Sequence, residues 1–229
     1  MKDTAMRIKT SENDPFLIGE LPLGQGLIGM SICPGSHDYE AWSGPRERSL
    51  EADLGAVRAG GYGIVVTLLE IWELDFLRVA GMGESVAARG MSWWHLPVKD
   101  CCPLEYRGDG FAEASLDRWS WPCALLLCFL HAGGKVFIHC RGGLGRTGTL
   151  AALLLIKEGI GAGDAITMVR EARPGAVPYK CQNDWLWQQS ALFSRRADLP
   201  PEDKAVTVLL REPHKFVLET WLQACCRAF

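Results

Sequence analysis

Apolar runs of strand length take turns along this chain with stretches of helical spacing. Leu27 to Ile32 is a compact apolar run closed by Cys33-Pro34-Gly35, and it predicts the first strand. Ser49 to Arg58 follows with Leu50, Leu54 and Val57 on one stripe, Ser49 placed to cap the helix and Gly60-Gly61 to stop it. Ile64 to Leu69 is rich in β-branched residues and predicts a second strand. Leu74 to Arg89 has helical spacing broken by Gly81 and Gly83, and Ser92 to Asp100 predicts a strand running into a loop. Phe111 to Ala132 is helical in pattern but carries Pro122. It is therefore expected in two pieces, with Ser120 capping the second and Pro122 in its first turn. Val136 to Ile138 predicts a buried strand, and Leu150 to Ile156 continues as a helix. Gly163-Asp164 opens another helix, with Ala165, Ile166, Val169 and Ala172 on one face, that ends at Arg173-Pro174-Gly175. A last core helix is expected to reach about Arg195, with Trp185 and Trp187 partly buried.

This pattern sets the expected boundaries. Residues 1–26 are a lead-in, polar from Met1 to Asp14; residues 27–196 form the main domain; residues 197–229 are an extension of unassigned role. Within the extension, Pro200-Pro201-Glu202-Asp203 predicts a linker, Ala205 to Leu210 a strand and Phe216 to Cys226 a helix. A chain of 229 residues is long enough for one sizeable core and a small appendage. The formal charge of -3 gives no reason to expect nucleic acid as a partner. The apolar runs are too short to span a bilayer and the N-terminus lacks an apolar signal core, so no membrane partner and a cytoplasmic location are expected. Nine cysteines without disulfide-scaffold spacing predict reduced thiols, and no Cys/His group has zinc-site spacing, so no metal is expected.

The chemistry concentrates at 136–148. The predicted strand runs into His139-Cys140, then a glycine-rich loop, then Arg146-Thr147 and a helix. Five residues separate Cys140 from Arg146, and three of them are glycines, so several backbone N–H groups can converge on one centre. The helix N-terminus adds its positive dipole end, and Arg146 can present a planar fork to two phosphate oxygens. The same field favours a thiolate at Cys140. The Thr147 hydroxyl can donate to that sulfur and ease its departure. Gly143-Leu144-Gly145-Arg146-Thr147-Gly148 also fits a dinucleotide fingerprint, but Asp164 to Arg173 has helical spacing where that fingerprint needs a second strand ending in an acid. His139, Cys140 and Arg141 also intrude between strand and glycines. A Walker loop lacks its Gly-Lys here.

His139-Cys140, five residues, then Arg146-Thr147 resembles the signature loop of the cysteine-dependent protein tyrosine phosphatases, closest to the kinase-associated and other dual-specificity branches. The resemblance implies an α/β fold with a small, mostly parallel central sheet flanked by helices. It implies a phosphocysteine formed on Cys140, with Arg146 and the loop Arg141, Gly142, Gly143, Leu144 and Gly145 around the phosphate, and no cofactor. His139 matches a structural position whose ring orients the loop. Asp100, after Leu96-Pro97, matches the general acid, and otherwise is a turn former or helix cap. Gln182 falls where relatives carry a glutamine that positions the hydrolytic water, and it is otherwise a polar helix-start residue. Glu70 and Glu73 match acids that support the loop, and otherwise are helix-start acids facing solvent.

The expected function is hydrolysis of phosphate monoesters, phosphotyrosine and also phosphoserine or phosphothreonine on proteins. A phosphoinositide or other small phosphorylated substrate, and a non-catalytic phosphate-binding adaptor, are the alternatives. Arg141 adds a second positive charge that suits a multiply anionic substrate, or else pairs with a nearby acid or points to solvent. Cys101 and Cys102 either fill space or offer a redox partner to Cys140. The 34–47 segment, rich in Gly, Pro, Ser and Asp, is expected to be loop.

Overall fold

The structure, a computed structural model, describes residues 7–100, 104 and 119–197, the last three by backbone alone. In chain order the elements are β1 (Gly19–Leu23), β2 (Gly26–Ser31), β3 (His37–Asp38), β4 (Arg46–Glu47), α1 (Leu50–Ala59), β5 (Ile64–Thr67), α2 (Ile71–Phe76) and α3 (Met82–Ala87). They continue with β6 (Ser92–His95), α4 (Ser120–His131), β7 (Lys135–His139), α5 (Gly145–Lys157), α6 (Ala162–Ala172) and α7 (Lys180–Ala197). The central sheet has the order β1-β2-β7-β5-β6, and only the β1–β2 pair is antiparallel. The expected α/β class with a mostly parallel sheet is the observed one.

Strand β7 is central because both its faces are apolar. Val136 and Ile138 point into one core, with Ile28, Met30, Leu126, Leu150 and Leu154. Phe137 points into the other, with Leu54, Val57, Tyr62 and Val65. Side chains two apart share a face, so one short run serves two cores. The parallel strands β2, β5 and β7 all end on one edge, and the crevice outside the carboxyl ends of such strands is where open α/β sheets build their sites.

The sheet starts earlier than Leu27. Strand β1 buries Leu21 and Leu23, and Phe16 and Ile18 pack on the second core. Further back, Asp14 pairs with Arg48 at 3.4 Å. Residues 14–26 are therefore part of the main body and not a lead-in. Pro22 hides the strand in the sequence, and it is tolerated because β1 lies at the sheet edge. The 34–47 segment is not all loop, since β3 and β4 pair within it.

Smaller shifts have local causes. Ser49 caps α1 as expected, its hydroxyl accepting from Ala52 N–H at 3.2 Å. The break between α2 and α3 falls at Leu77–Gly81, with Arg78 at φ 58°, and Gly83 lies inside α3. A Cβ on Gly83 would sit 2.4 Å from the Trp93 ring, so that glycine makes room for a side chain and does not stop a helix. Pro122 is in the first turn of α4 as expected, but Trp119 holds the cap position and Ser120 is already helical. Trp185 is buried, whereas Trp187 is 55% exposed. The first piece of the 111–132 stretch, Cys101, Cys102, and the strand and helix expected in the extension lie outside the described residues. Among the described residues no helix is long and apolar enough to cross a membrane.

Candidate active site

Strand β7 carries His139 to its end and delivers Cys140, 3% exposed, to the mouth of the loop that leads into α5. The loop is held from outside by its carbonyls. Cys33 N–H donates to Arg141 O at 3.3 Å, and the Arg173 guanidinium donates to Gly143 O and Gly142 O at 3.3 and 3.5 Å. A peptide whose oxygen is tied outward turns its N–H to the other, concave side, which makes an anion cradle. Gly143 has φ 66°, and a Cβ there would lie 2.1 Å from Ser31 O, so the loop closes on β2 only with glycine at that position.

Arg146 is 1% exposed and crosses beneath this loop. Its Nη1 donates to Glu73 Oε2 at 2.6 Å and to Val98 O at 3.0 Å, and its Nη2 donates to Glu73 Oε1 at 2.8 Å. The carboxylate thus takes the end of the guanidinium and leaves the side edge, Nε–H and the outer Nη2–H. Nε lies 3.2 Å from Asp100 Oδ1 without aligning as a hydrogen bond. Burial works against the Arg146 charge, but Glu73 and the Cys140 sulfur more than offset it, so its pKa is raised. Glu73 Oε2 also accepts from Glu70 N–H at 2.8 Å, which fixes the first turn of α2. Of the two acids at this point, Glu73 is buried against the loop arginine, while Glu70 is the cap residue of α2.

His139 is fully buried. Its Nε2 lies 2.8 Å from Thr67 Oγ1, which also accepts from the Trp93 indole N–H at 2.8 Å. Nδ1 turns to the Cys140 backbone, short of an aligned hydrogen bond. Burial pushes the imidazole pKa down to about 3, so the ring is neutral above that pH. The parallel register Thr67↔His139 is what brings this pair together.

Arg141 is engaged by an acid. Its Nε and Nη2 each donate to Asp38 at 2.8 Å, and its guanidinium stacks 5.1 Å from the centre of the Phe76 ring. Arg141 is thus paired with an acid, as one of its readings had it, and it also lines the cavity. Gln182 is buried, with Nε2 3.0 Å from where a Cβ on Gly145 would be, so its amide packs against the start of α5. Thr147 Oγ1 is buried and has no hydrogen-bond partner among the described residues, so the expected bond to the cysteine sulfur is not made here.

Cys140, Arg141, Gly142, Leu144, Gly145, Arg146 and Asp100 open on one cavity of about 550 Å³. Asp38, Arg46, Trp42 and Tyr179 also line it. The other buried thiols are poor nucleophiles: burial pushes Cys123 up to about 12 and raises Cys33 well above its ordinary value. Among the described residues no group of three or more His, Cys, Asp or Glu side chains is placed to hold a metal ion. Sequence reasoning gave no role to Asp38, Arg46, Thr67 or Trp93. Arg173 was read only as the start of the Arg173-Pro174-Gly175 helix stop, and its grip on the loop carbonyls had no signal in the letters.

Residues 92–185 match a family model described as "Swiss Army Knife protein, DSP-PTPase phosphatase domain". The tyrosine-protein phosphatase CDC14 of Candida albicans is 36% identical over 81 residues, 31% of this chain and 15% of that protein. The tyrosine-protein phosphatase cdc-14 of Caenorhabditis elegans is 51% identical over 45 residues, 19% of this chain and 6% of that protein. The chain therefore spans a small part of the curated relatives it matches. In fold, a crystal structure of kinase associated phosphatase with its catalytic cysteine changed to serine superposes with a TM-score of 0.64, covering 81% of this chain and 98% of that one at 22% identity. The matched segment and the relatives thus place the likeness to the dual-specificity and tyrosine phosphatases on the part of the chain that holds the cysteine–arginine loop.

Proposed function

We propose that the protein is a phosphatase that hydrolyses phosphate monoesters, on proteins above all, through a phosphocysteine intermediate. The observation that carries this is Arg146. Glu73 holds the end of its guanidinium, so the side edge stays turned toward the cavity beside Cys140. A phosphoryl group seated there receives two parallel N–H donors from Arg146 and further donors from the loop.

In the first step the Cys140 thiolate attacks phosphorus in line. The phosphorus–oxygen bond to the leaving group breaks, and protonated Asp100 gives its proton to that oxygen. In the second step water attacks phosphorus, Asp100 takes the water's proton, and the sulfur–phosphorus bond breaks to release inorganic phosphate. Gln182, packed against Gly145, is assigned to guiding that water, Thr147 to receiving the sulfur as a thiolate, and His139 to holding the strand end. No cofactor enters either step. The catalytic body runs from about residue 14 to α7, because Phe16 and Ile18 pack on the second core and Trp185 and Leu186 belong to the first. A nucleophilic thiol needs a reducing compartment, which fits a cytoplasmic location.

The test is hydrolysis of 4-nitrophenyl phosphate with a chelator present, by the unchanged protein, Cys140→Ser and Asp100→Ala. The expected result is turnover by the first, none by the second, and a loss of about a hundredfold or more by the third. Equal rates in the unchanged protein and Cys140→Ser overturn the reading. An inactive unchanged protein that still binds a phosphopeptide favours the adaptor.

A further inference from the structure

Three polar side chains are joined in a row beneath the phosphate loop, at the end of an otherwise apolar sheet face. Trp93 on β6, Thr67 on β5 and His139 on β7 share that face with Val65 and Phe137. The Trp93 indole N–H donates to Thr67 Oγ1 at 2.8 Å, and Thr67 Oγ1 lies 2.8 Å from His139 Nε2. The indole is itself held in place. Its ring stacks on His95 with centres 5.2 Å apart and planes 9° apart, and His95 Nε2 is anchored on Leu69 O at 2.8 Å. Gly83 leaves the room that the indole occupies.

An indole nitrogen only donates, so the Thr67 hydroxyl turns a lone pair to Trp93 and aims its hydrogen elsewhere. Thr67 is fully buried, and among the described residues its side chain has no hydrogen-bond partner besides Trp93 and His139. With the ring proton on Nε2, the hydroxyl hydrogen would be stranded in the core, at the cost of an unmade buried hydrogen bond. The far side of the ring agrees. Nδ1 is buried against the Cys140 backbone, at a group that favours a protonated ring, as a carbonyl oxygen does. A lone pair on Nδ1 is repelled there and an N–H is attracted.

We infer that Thr67, held by Trp93, is a positioning residue: it donates to His139 Nε2, keeps the ring proton on Nδ1, and through that proton holds the Cys140 carbonyl away from the cavity. The peptide between Cys140 and Arg141 is trans, so the Arg141 N–H at its other end then faces the cavity. One donor of the anion cradle is thus set by two side chains that do not line the cavity themselves. The bearing of this on catalysis rests on the phosphatase reading, whereas the tautomer of His139 does not.

The experiment reads the His139 ring nitrogens by long-range proton–nitrogen NMR on the labelled full chain at neutral pH, with His139→Asn to assign them. On the same samples, affinity for inorganic phosphate is measured by titration and turnover of 4-nitrophenyl phosphate by kinetics. The unchanged protein is compared with Thr67→Val, Thr67→Ser and Trp93→Phe. The expected result is a single Nδ1–H tautomer in the unchanged protein and in T67S, and a mixture or the Nε2–H form in T67V. Phosphate is expected to bind about 5- to 10-fold more weakly to T67V and within about twofold of normal to T67S, with W93F between the two. An Nε2–H tautomer in the unchanged protein overturns the inference without any variant, so a T67V that does not fold still leaves it decided. Weaker phosphate binding in T67V with the Nδ1–H tautomer kept also overturns it, because Thr67 then acts by packing alone. So does a changed tautomer with phosphate affinity unmoved. W93F matching the unchanged protein in both readouts overturns the part given to Trp93. An Nδ1–H tautomer with Thr67-dependent phosphate affinity but no turnover counts against the phosphatase reading and supports the role of Thr67.

Discussion

Glu73 grips Arg146 through both carboxylate oxygens, at 2.6 and 2.8 Å, with both side chains buried. A residue from the first turn of a six-residue helix thus sets the direction of a residue 73 positions later. Removing one member of a buried ion pair leaves the other charge stranded, so Glu73→Ala is expected to cost about 3–5 kcal/mol of stability. Glu73→Gln keeps the shape and some of the hydrogen bonds. It is expected to fold, with kcat/KM for an aryl phosphate down at least about tenfold, or 1.4 kcal/mol, because the arginine fork is no longer held square to the phosphate. Denaturant midpoints and steady-state kinetics on the two variants check this, and wild-type kinetics in E73Q would remove Glu73 from the machinery.

The buried His139 makes the fold acid-sensitive. Its pKa in the folded protein is about 3, below the 6.5 of a free imidazole. Between those values the unfolded chain binds a proton that the folded one does not, so stability rises with pH through this window and is lost as pH falls below about 6.5. At pH 5 the loss from this one residue is about 2 kcal/mol. The observable is the slope of unfolding free energy against pH between 6 and 4. His139→Asn is expected to reduce that slope by about one proton's worth, 1.4 kcal/mol per pH unit, whatever its stability at neutral pH. An unchanged slope means the ring takes up its proton without unfolding.

Gly143→Ala meets two obstacles at once. The φ of 66° is unfavourable for an L side chain, and the new methyl would lie 2.1 Å from the Ser31 carbonyl oxygen at the end of β2. Neither β2 nor the loop can withdraw without breaking the Arg141 carbonyl bond to Cys33 N–H. The expected outcome is a stability loss of about 2 kcal/mol or more and loss of phosphate binding, read by thermal unfolding and by inhibition with inorganic phosphate. Gly142→Ala is the control for the stability loss alone, because a Cβ there meets nothing within 4 Å.

How much of this was legible in the letters depends on how local the cause is. Cys140, the glycines and Arg146 lie within one short loop, and the strand before and helix after them have unambiguous apolar patterns. Their arrangement could be read because every part of it is near in sequence. Strand β1 was not, because Pro22 interrupts it and its partner β2 decides its register. Glu73 looked the same whether it faced solvent or Arg146, since 73 positions of chain separate the two. The pairing of Arg141 was one of three readings, because its partner Asp38 lies 103 positions away. The 34–47 segment reads as loop because β3 and β4 are two residues each, too short for any periodicity.

Arg173 shows the same limit and makes the last prediction. It lies just past α6, half-buried, with its guanidinium on Gly143 O at 3.3 Å and Gly142 O at 3.5 Å. Burial lowers its pKa, and the nearby Cys140 sulfur partly offsets that. It touches no reacting atom; it acts by turning two peptide units so that their N–H groups face the phosphate. Lysine keeps the charge but cannot bridge both carbonyls with a planar fork. Arg173→Lys is therefore expected to weaken inhibition by inorganic phosphate about 5- to 10-fold, the loss of one charge-assisted hydrogen bond's positioning effect. KM is expected to rise more than kcat falls, because the cradle serves ground state and transition state alike. If charge alone were its contribution, Arg173→Lys would behave as wild type and only Arg173→Met would lose affinity, so the pair of variants separates positioning from field.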